Sequence, residues 1–90
     1  MKKVVEYLLE KGINFNHSGF DYLRKAIEFC LEDESLSRNL DKKLYIKLTE
    51  YFKTTKYVVV RAIFYAICSL NERTTAKKFI RKAIIDLREK

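Results

Sequence analysis

The architecture follows from residues 42–70: Lys42-Lys43-Leu44-Tyr45-Ile46-Lys47-Leu48-Thr49-Glu50-Tyr51-Phe52-Lys53-Thr54-Thr55-Lys56-Tyr57-Val58-Val59-Val60-Arg61-Ala62-Ile63-Phe64-Tyr65-Ala66-Ile67-Cys68-Ser69-Leu70. Two apolar series run through it at helical spacing. Leu44, Tyr45, Leu48, Tyr51 and Phe52 form the first. Val59, Ala62, Ile63, Ala66, Ile67 and Leu70 form the second, stepping by three and four residues as a core-facing helix does. Lys53-Thr54-Thr55 interrupts the pattern, and Thr55 carries a side-chain oxygen able to N-cap the second helix. The spacing predicts helices over about 42–52, capped by Asp41, and about 56–70. Two amphipathic helices joined by so short a turn are the helix-turn-helix pattern. Tyr57-Val58-Val59-Val60 alone has strong β propensity, but the stripe continuing to Leu70 outweighs it.

The flanks read the same way. A loop over 71–75 leads to a last helix over 76–89, with Phe79, Ile80, Ala83, Ile84 and Leu87 on one side. Lys77, Lys78, Arg81, Lys82 and Arg88 cover the other. Upstream, 33–40 reads as a short helix with Leu36 and Leu40 four apart. A longer helix over 20–32 presents Leu23, Ala26, Ile27, Cys30 and Leu31, with Ser18 as its expected N-cap. A first helix over 2–11 presents Val4, Val5, Leu8 and Leu9 and stops at Gly12. With no proline and 2 glycines, the chain lacks the turn residues of a β-rich domain. The expectation is one all-α domain over 1–90, a compact bundle of five to six helices containing a helix-turn-helix.

Net charge of +7 favours an anionic partner: nucleic acid first, an anionic membrane second, an acidic protein third. Plain solubility through charge is the simpler alternative. Cys30 and Cys68 belong to no C-x-x-C pair, and His17 is the sole histidine, so neither a metal site nor a cofactor is expected. Free thiols, Glu6 and Glu10 interrupting the first apolar run, and Arg61 inside the longest one argue for a cytoplasmic protein with no membrane partner. Catalysis is not expected. His17, Ser18 and Asp21 fall within five residues, too close for triad geometry, and capping accounts for two of them. Glu32, Asp33 and Glu34 read as a helix end and a following cap rather than a calcium loop. Cys68 reads as a small apolar residue rather than a redox sensor.

An ordered series of motifs adds a family likeness. It comprises Leu8-Leu9, Gly12-Ile13, Gly19-Phe20-x-Tyr22-Leu23-Arg24-x-Ala26-Ile27, Asp33, Leu36, Leu44-Tyr45, Lys53-Thr54-Thr55, Val59 and Arg61-Ala62-Ile63-x-x-Ala66-Ile67. From about residue 8 to 67 the chain resembles the C-terminal effector domain of the stage-zero sporulation master response regulator (protein A) family. The resemblance implies a six-helix domain that dimerises on DNA and regulates transcription. It implies that the helix matching 56–70 enters the major groove and the one matching 42–52 braces it. It also implies that Phe79, Ile80 and Ile84 lie in a region of dimer contacts. Two departures stand out. No receiver domain with its phosphorylatable aspartate accompanies the match, so the chain reads as a stand-alone effector domain. The family carries arginine at Val58, glutamate at Val60 and arginine at Phe64; these three are apolar here, and Arg61 is the polar residue retained on this helix. The loop before the last helix is also shorter.

With the stripe turned inward, the front of the 56–70 helix carries Tyr57, Arg61, Phe64, Tyr65 and Cys68, with Val58 on its flank. Arg61 is the one good base reader; the two phenols can bond phosphates or acceptor edges, and Phe64 and Val58 can touch thymine methyls. The expected contacts to double-stranded DNA are Lys53, Thr55, Lys56, Tyr57, Arg61, Phe64 and Tyr65, with Lys77, Lys78, Arg81 and Lys82 adding backbone charge. Aromatics beside an arginine are equally the makings of a protein interface. That alternative uses Val58 and Phe64 with Phe79, Ile80 and Ile84, in a homodimer or a heterodimer that pairs with or antagonises a full-length relative. A third reading has part of this front covered by the first or last helix. Membrane attachment through the last helix ranks below all of these, because the core needs its apolar side.

Overall fold

The structure, a computed structural model, describes residues 2–70 and 73–89. Helix α1 (Lys2–Glu10) buries Val4, Tyr7 and Leu8, while Leu9 of the expected stripe stays exposed. It ends in a Schellman motif. Gly12 takes φ +96°, and the Gly12 and Ile13 amides donate to the Leu9 and Leu8 carbonyls, both at 3.1 Å. Glycine is needed there because that φ strains any L side chain.

Helix α2 (Phe20–Glu32) buries Phe20, Leu23, Ala26, Ile27, Phe29 and Cys30. Ser18 does not cap it. Gly19 occupies the cap position with no side-chain bond, and the Gly19 amide donates to His17 Nδ1 at 3.0 Å. A 3₁₀ turn (Glu34–Arg38) follows, capped by Asp33, whose carboxylate accepts from the Ser35 amide at 3.1 Å. A π turn (Leu40–Leu44) then leads into α3 (Tyr45–Phe52). Its cap is Asn39, which accepts from the Lys42 amide at 3.2 Å; Asp41 instead pairs with Lys56 at 2.8 Å.

Between α3 and α4 (Lys56–Cys68) lie three residues. Lys53 adopts a left-handed φ of 52°, and the Thr54 amide reaches the Thr49 carbonyl at 3.1 Å, closing a second Schellman motif. Thr55 is extended and accepts from the Val58 amide at 3.3 Å, the expected N-cap. Every residue of the predicted α4 stripe, Val59 through Leu70, is buried. Helix α5 (Ala76–Glu89) begins where predicted, with Thr75 accepting from the Lys78 amide at 3.2 Å. Asn71 and Glu72 of the predicted loop lie outside the described residues.

The fold is all-α: no strand occurs among the described residues. Helix α2 packs against each of the other four, and Gly19 sets its approach to α4, where an added Cβ would strike the Ala62 carbonyl oxygen and lie 2.8 Å from the Ala66 Cβ. Polar ties close the bundle. Tyr7 donates to Asp86 at 2.9 Å, and Arg88 donates to Glu34 at 3.0 Å and to the Leu31 carbonyl at 3.2 Å.

One expectation is corrected by this packing. Phe79, Ile80 and Ile84 are buried within the chain's own core, in a fold where α5 packs on α1, α2 and α4. Burying that stripe internally removes it as a surface for a partner. The outward apolar residue of α5 is Ile85, one step off the stripe.

Candidate nucleic-acid interface

Because Val59, Ala62, Ile63, Ala66 and Ile67 all point inward, the opposite face of α4 is presented outward by helical geometry alone. Tyr57 is 67%, Val58 40%, Phe64 60% and Tyr65 46% exposed, so neither end helix covers this front. Arg61 sits among them, also exposed. Of the expected contacts, the structure therefore gathers Tyr57, Arg61, Phe64 and Tyr65 on one face, with Val58 beside them.

Arg61 is held, not loose. Tyr57 and Tyr65 stand four residues before and after it, the spacing at which helical side chains meet. Arg61 Nε donates to the Tyr65 hydroxyl at 3.0 Å, and Nη1 donates to the Tyr57 hydroxyl. The guanidinium carbon also lies 5.2 Å from the Tyr65 ring centre and 5.6 Å from that of Tyr57, within cation–π range. Hydrogen bonds to Tyr65 and then Tyr57 favour the charged form and raise the Arg61 pKa further. The phenols, expected to face DNA on their own account, have their oxygens turned to the arginine. The Tyr-x-x-x-Arg-x-x-x-Tyr spacing was the signal for this arrangement.

The cations divide into separate groups. Lys53 is exposed at the turn. Lys56 is half-buried and its ammonium meets Asp41; this pair is largely solvated, so it holds the lysine weakly and can yield to a phosphate. Thr55 has its hydroxyl engaged in capping. Lys77, Lys78, Arg81 and Lys82 are exposed on α5, outside the hydrogen-bonded cluster around Arg61.

An apolar groove of about 580 Å³ adjoins the front, walled by Tyr45, Val60, Phe64, Cys68 and the start of α5, with Arg73 at its edge. Elsewhere the residues with chemical potential are structural. His17 Nδ1 accepts a backbone hydrogen bond. Cys30 is buried, and burial pushes its thiol up to about 12, with Asp33 adding to the rise. Among the described residues no group of three His, Cys, Asp or Glu side chains could hold a metal ion. No helix among them is long and apolar enough to cross a membrane.

The family described as Sporulation initiation factor Spo0A C terminal matches residues 4–89. The match takes in α1 and α5, beyond the stretch over which the motifs alone could be followed. That family is the DNA-binding effector domain of a sporulation regulator, and it is not a class of enzyme. The described fold is all-helical across the matched residues, and on this match the chain belongs to the Spo0A C-terminal family.

Proposed function

We propose that the chain is a transcriptional regulator that docks α4 into the major groove of double-stranded DNA as the second helix of a helix-turn-helix, in the service of sporulation control. The observation that carries this reading is the outward face of α4, where Arg61 stands exposed while the whole Ala-Ile stripe is buried. Arg61 is the base reader, Phe64 and Val58 offer methyl contacts to thymine, and Lys53 and Lys56 lie at the turn where the backbone would pass. Helix α3 braces α4 from behind. Fluorescence anisotropy against labelled duplexes at two salt concentrations tests it. Binding should fall steeply as salt rises, since phosphate neutralisation releases counterions. Absence of binding at low salt ends the proposal.

A second reading rests on the groove beside Phe64 and Cys68. The same front, through Val58, Phe64, Tyr57 and Tyr65, would seat a second copy or a full-length relative and so antagonise it. Sizing chromatography with and without such a relative separates the readings. Phe64→Ala should abolish a complex of this kind; in DNA docking it should cost little, because a methyl contact discriminates weakly.

A further inference from the structure

We infer that Tyr57 and Tyr65 are positioning residues that restrict Arg61 to end-on recognition of a single guanine, so that base-specific hydrogen bonding by this helix is concentrated on one G·C pair. The inference rests on the docking reading above and adds to it a mechanism of selection.

A guanidinium has five N–H donors and two forks with which to grip a pair of acceptors. The side-on fork uses Nε and Nη2; the end-on fork uses Nη1 and Nη2. Here the single Nε hydrogen is directed to the Tyr65 hydroxyl at 3.0 Å, which closes the side-on fork. One Nη1 hydrogen is directed to the Tyr57 hydroxyl. One hydrogen on Nη1 and both on Nη2 remain; with the Tyr57 bond taken by the Nη1 hydrogen that faces the side-chain stem, these form the end-on fork. The two rings flank the cation at 5.2 and 5.6 Å and limit its swing along the helix.

Guanine offers two acceptors side by side in the major groove, O6 and N7. Adenine sets a donor beside N7, and the end-on fork would meet it donor to donor. The neighbours sharpen the point. Val58 and Phe64 carry no polar side-chain atom, and each phenol oxygen already accepts from Arg61, which leaves the phenols only an O–H to donate. A clamped side chain also has less freedom to lose on binding than a free arginine, so the phenols favour discrimination without touching a base themselves.

The test is selection from a pool of randomised duplexes, run with the unaltered chain, with Y57F/Y65F and with R61K. The double variant keeps both rings and removes only the hydroxyls, so the Arg61 Nε–H readout below is what assigns the effect to the clamp rather than to a phenol O–H donated to DNA. The unaltered chain should select one dominant G·C position per bound domain. Y57F/Y65F should relax that position by about fivefold or more, the low end for a good bidentate contact. Its affinity for unselected duplex and its salt dependence should stay within about twofold, since no phosphate contact is removed. R61K keeps the charge, loses the fork, and should lose the preference with the salt dependence intact. A double variant that selects the same position as strongly overturns the inference. So does one whose affinity for unselected duplex falls in step, because the phenols would then be backbone contacts. The free protein gives a separate readout: the Arg61 Nε–H resonance should exchange slowly with water and faster in Tyr65→Phe. No change there refutes the clamp, whereas a failure of the unaltered chain to bind any duplex refutes the docking reading.

Discussion

Gly19 leaves no room for a methyl group between α2 and α4. A Cβ there would meet the Ala62 carbonyl oxygen and sit 2.8 Å from the Ala66 Cβ, and backbone cannot step aside cheaply. Gly19→Ala should therefore destabilise by about 1–3 kcal/mol, read as a lower denaturation midpoint. The two thiols make a second prediction at this scale. Cys68 is exposed and Cys30 is buried, so a thiol reagent should label Cys68 in the native protein and Cys30 only on unfolding. Native Cys30 holds its proton to about 12, whereas an unfolded thiol releases it near about 8.5. Its contribution to stability is thus complete below about 8.5 and fades as pH climbs toward about 12. The stability difference between the unaltered chain and Cys30→Ala should narrow over that window in urea titrations. In the sequence Gly19 stood out only as part of a motif, because nothing local says which backbone will come close. Cys30 was legible as core from its place in the stripe. Arg61, Tyr57 and Tyr65 were legible as exposed, but the phenols' turn toward the arginine depends on rotamers that a helical wheel does not fix.

The helix ends show where local reading succeeds. Thr55 was identified from its position before a periodic run, and it caps α4 as expected. Ser18 and Asp41 had the right chemistry but the wrong geometry. The π turn over Leu40–Leu44 moves the cap back to Asn39, and close packing of Gly19 replaces a capping bond at α2. Such turns are set by the packing of the elements they join, and composition carries little trace of them. The two Schellman motifs differ in an informative way: α1 closes on glycine and α3 on Lys53 at φ 52°. A lysine in that conformation is strained, so Lys53→Gly should raise stability by about 0.5–1 kcal/mol. If Lys53 also neutralises a phosphate, the same substitution should weaken duplex binding and reduce the log-salt slope by about one. Stability and affinity moving in opposite directions would place the lysine at this turn for its charge. Affinity unchanged alongside a stability gain would remove Lys53 from the contact surface.

Across the whole molecule, α5 has the role that sequence resolved least well. Its bounds, Ala76–Glu89, and its amphipathic faces were legible from a stripe of unbroken period. Whether that stripe met its own chain or another was not, since both demand the same apolar residues. The bundle answers by burying Phe79, Ile80 and Ile84 and by tying α5 down through Asp86 and Arg88. Ile80→Ala should then cost about 2–5 kcal/mol in the isolated chain, a large share of the roughly 5–15 kcal/mol that holds a small domain together. The unfolding midpoint should fall with the m-value unchanged. Had Ile80 been a dimer contact, the change would appear in oligomeric state and leave the monomer's midpoint in place. The inward stripe has a further consequence. With α5 sealed, the aromatic surface that a duplex would need and that a protein guest would need is the same stretch of α4, and two visitors cannot stand on it together. If both readings of this face hold, a companion seated there would exclude the duplex by occupancy, and its concentration relative to its own affinity would set how much of the domain stays free for nucleic acid.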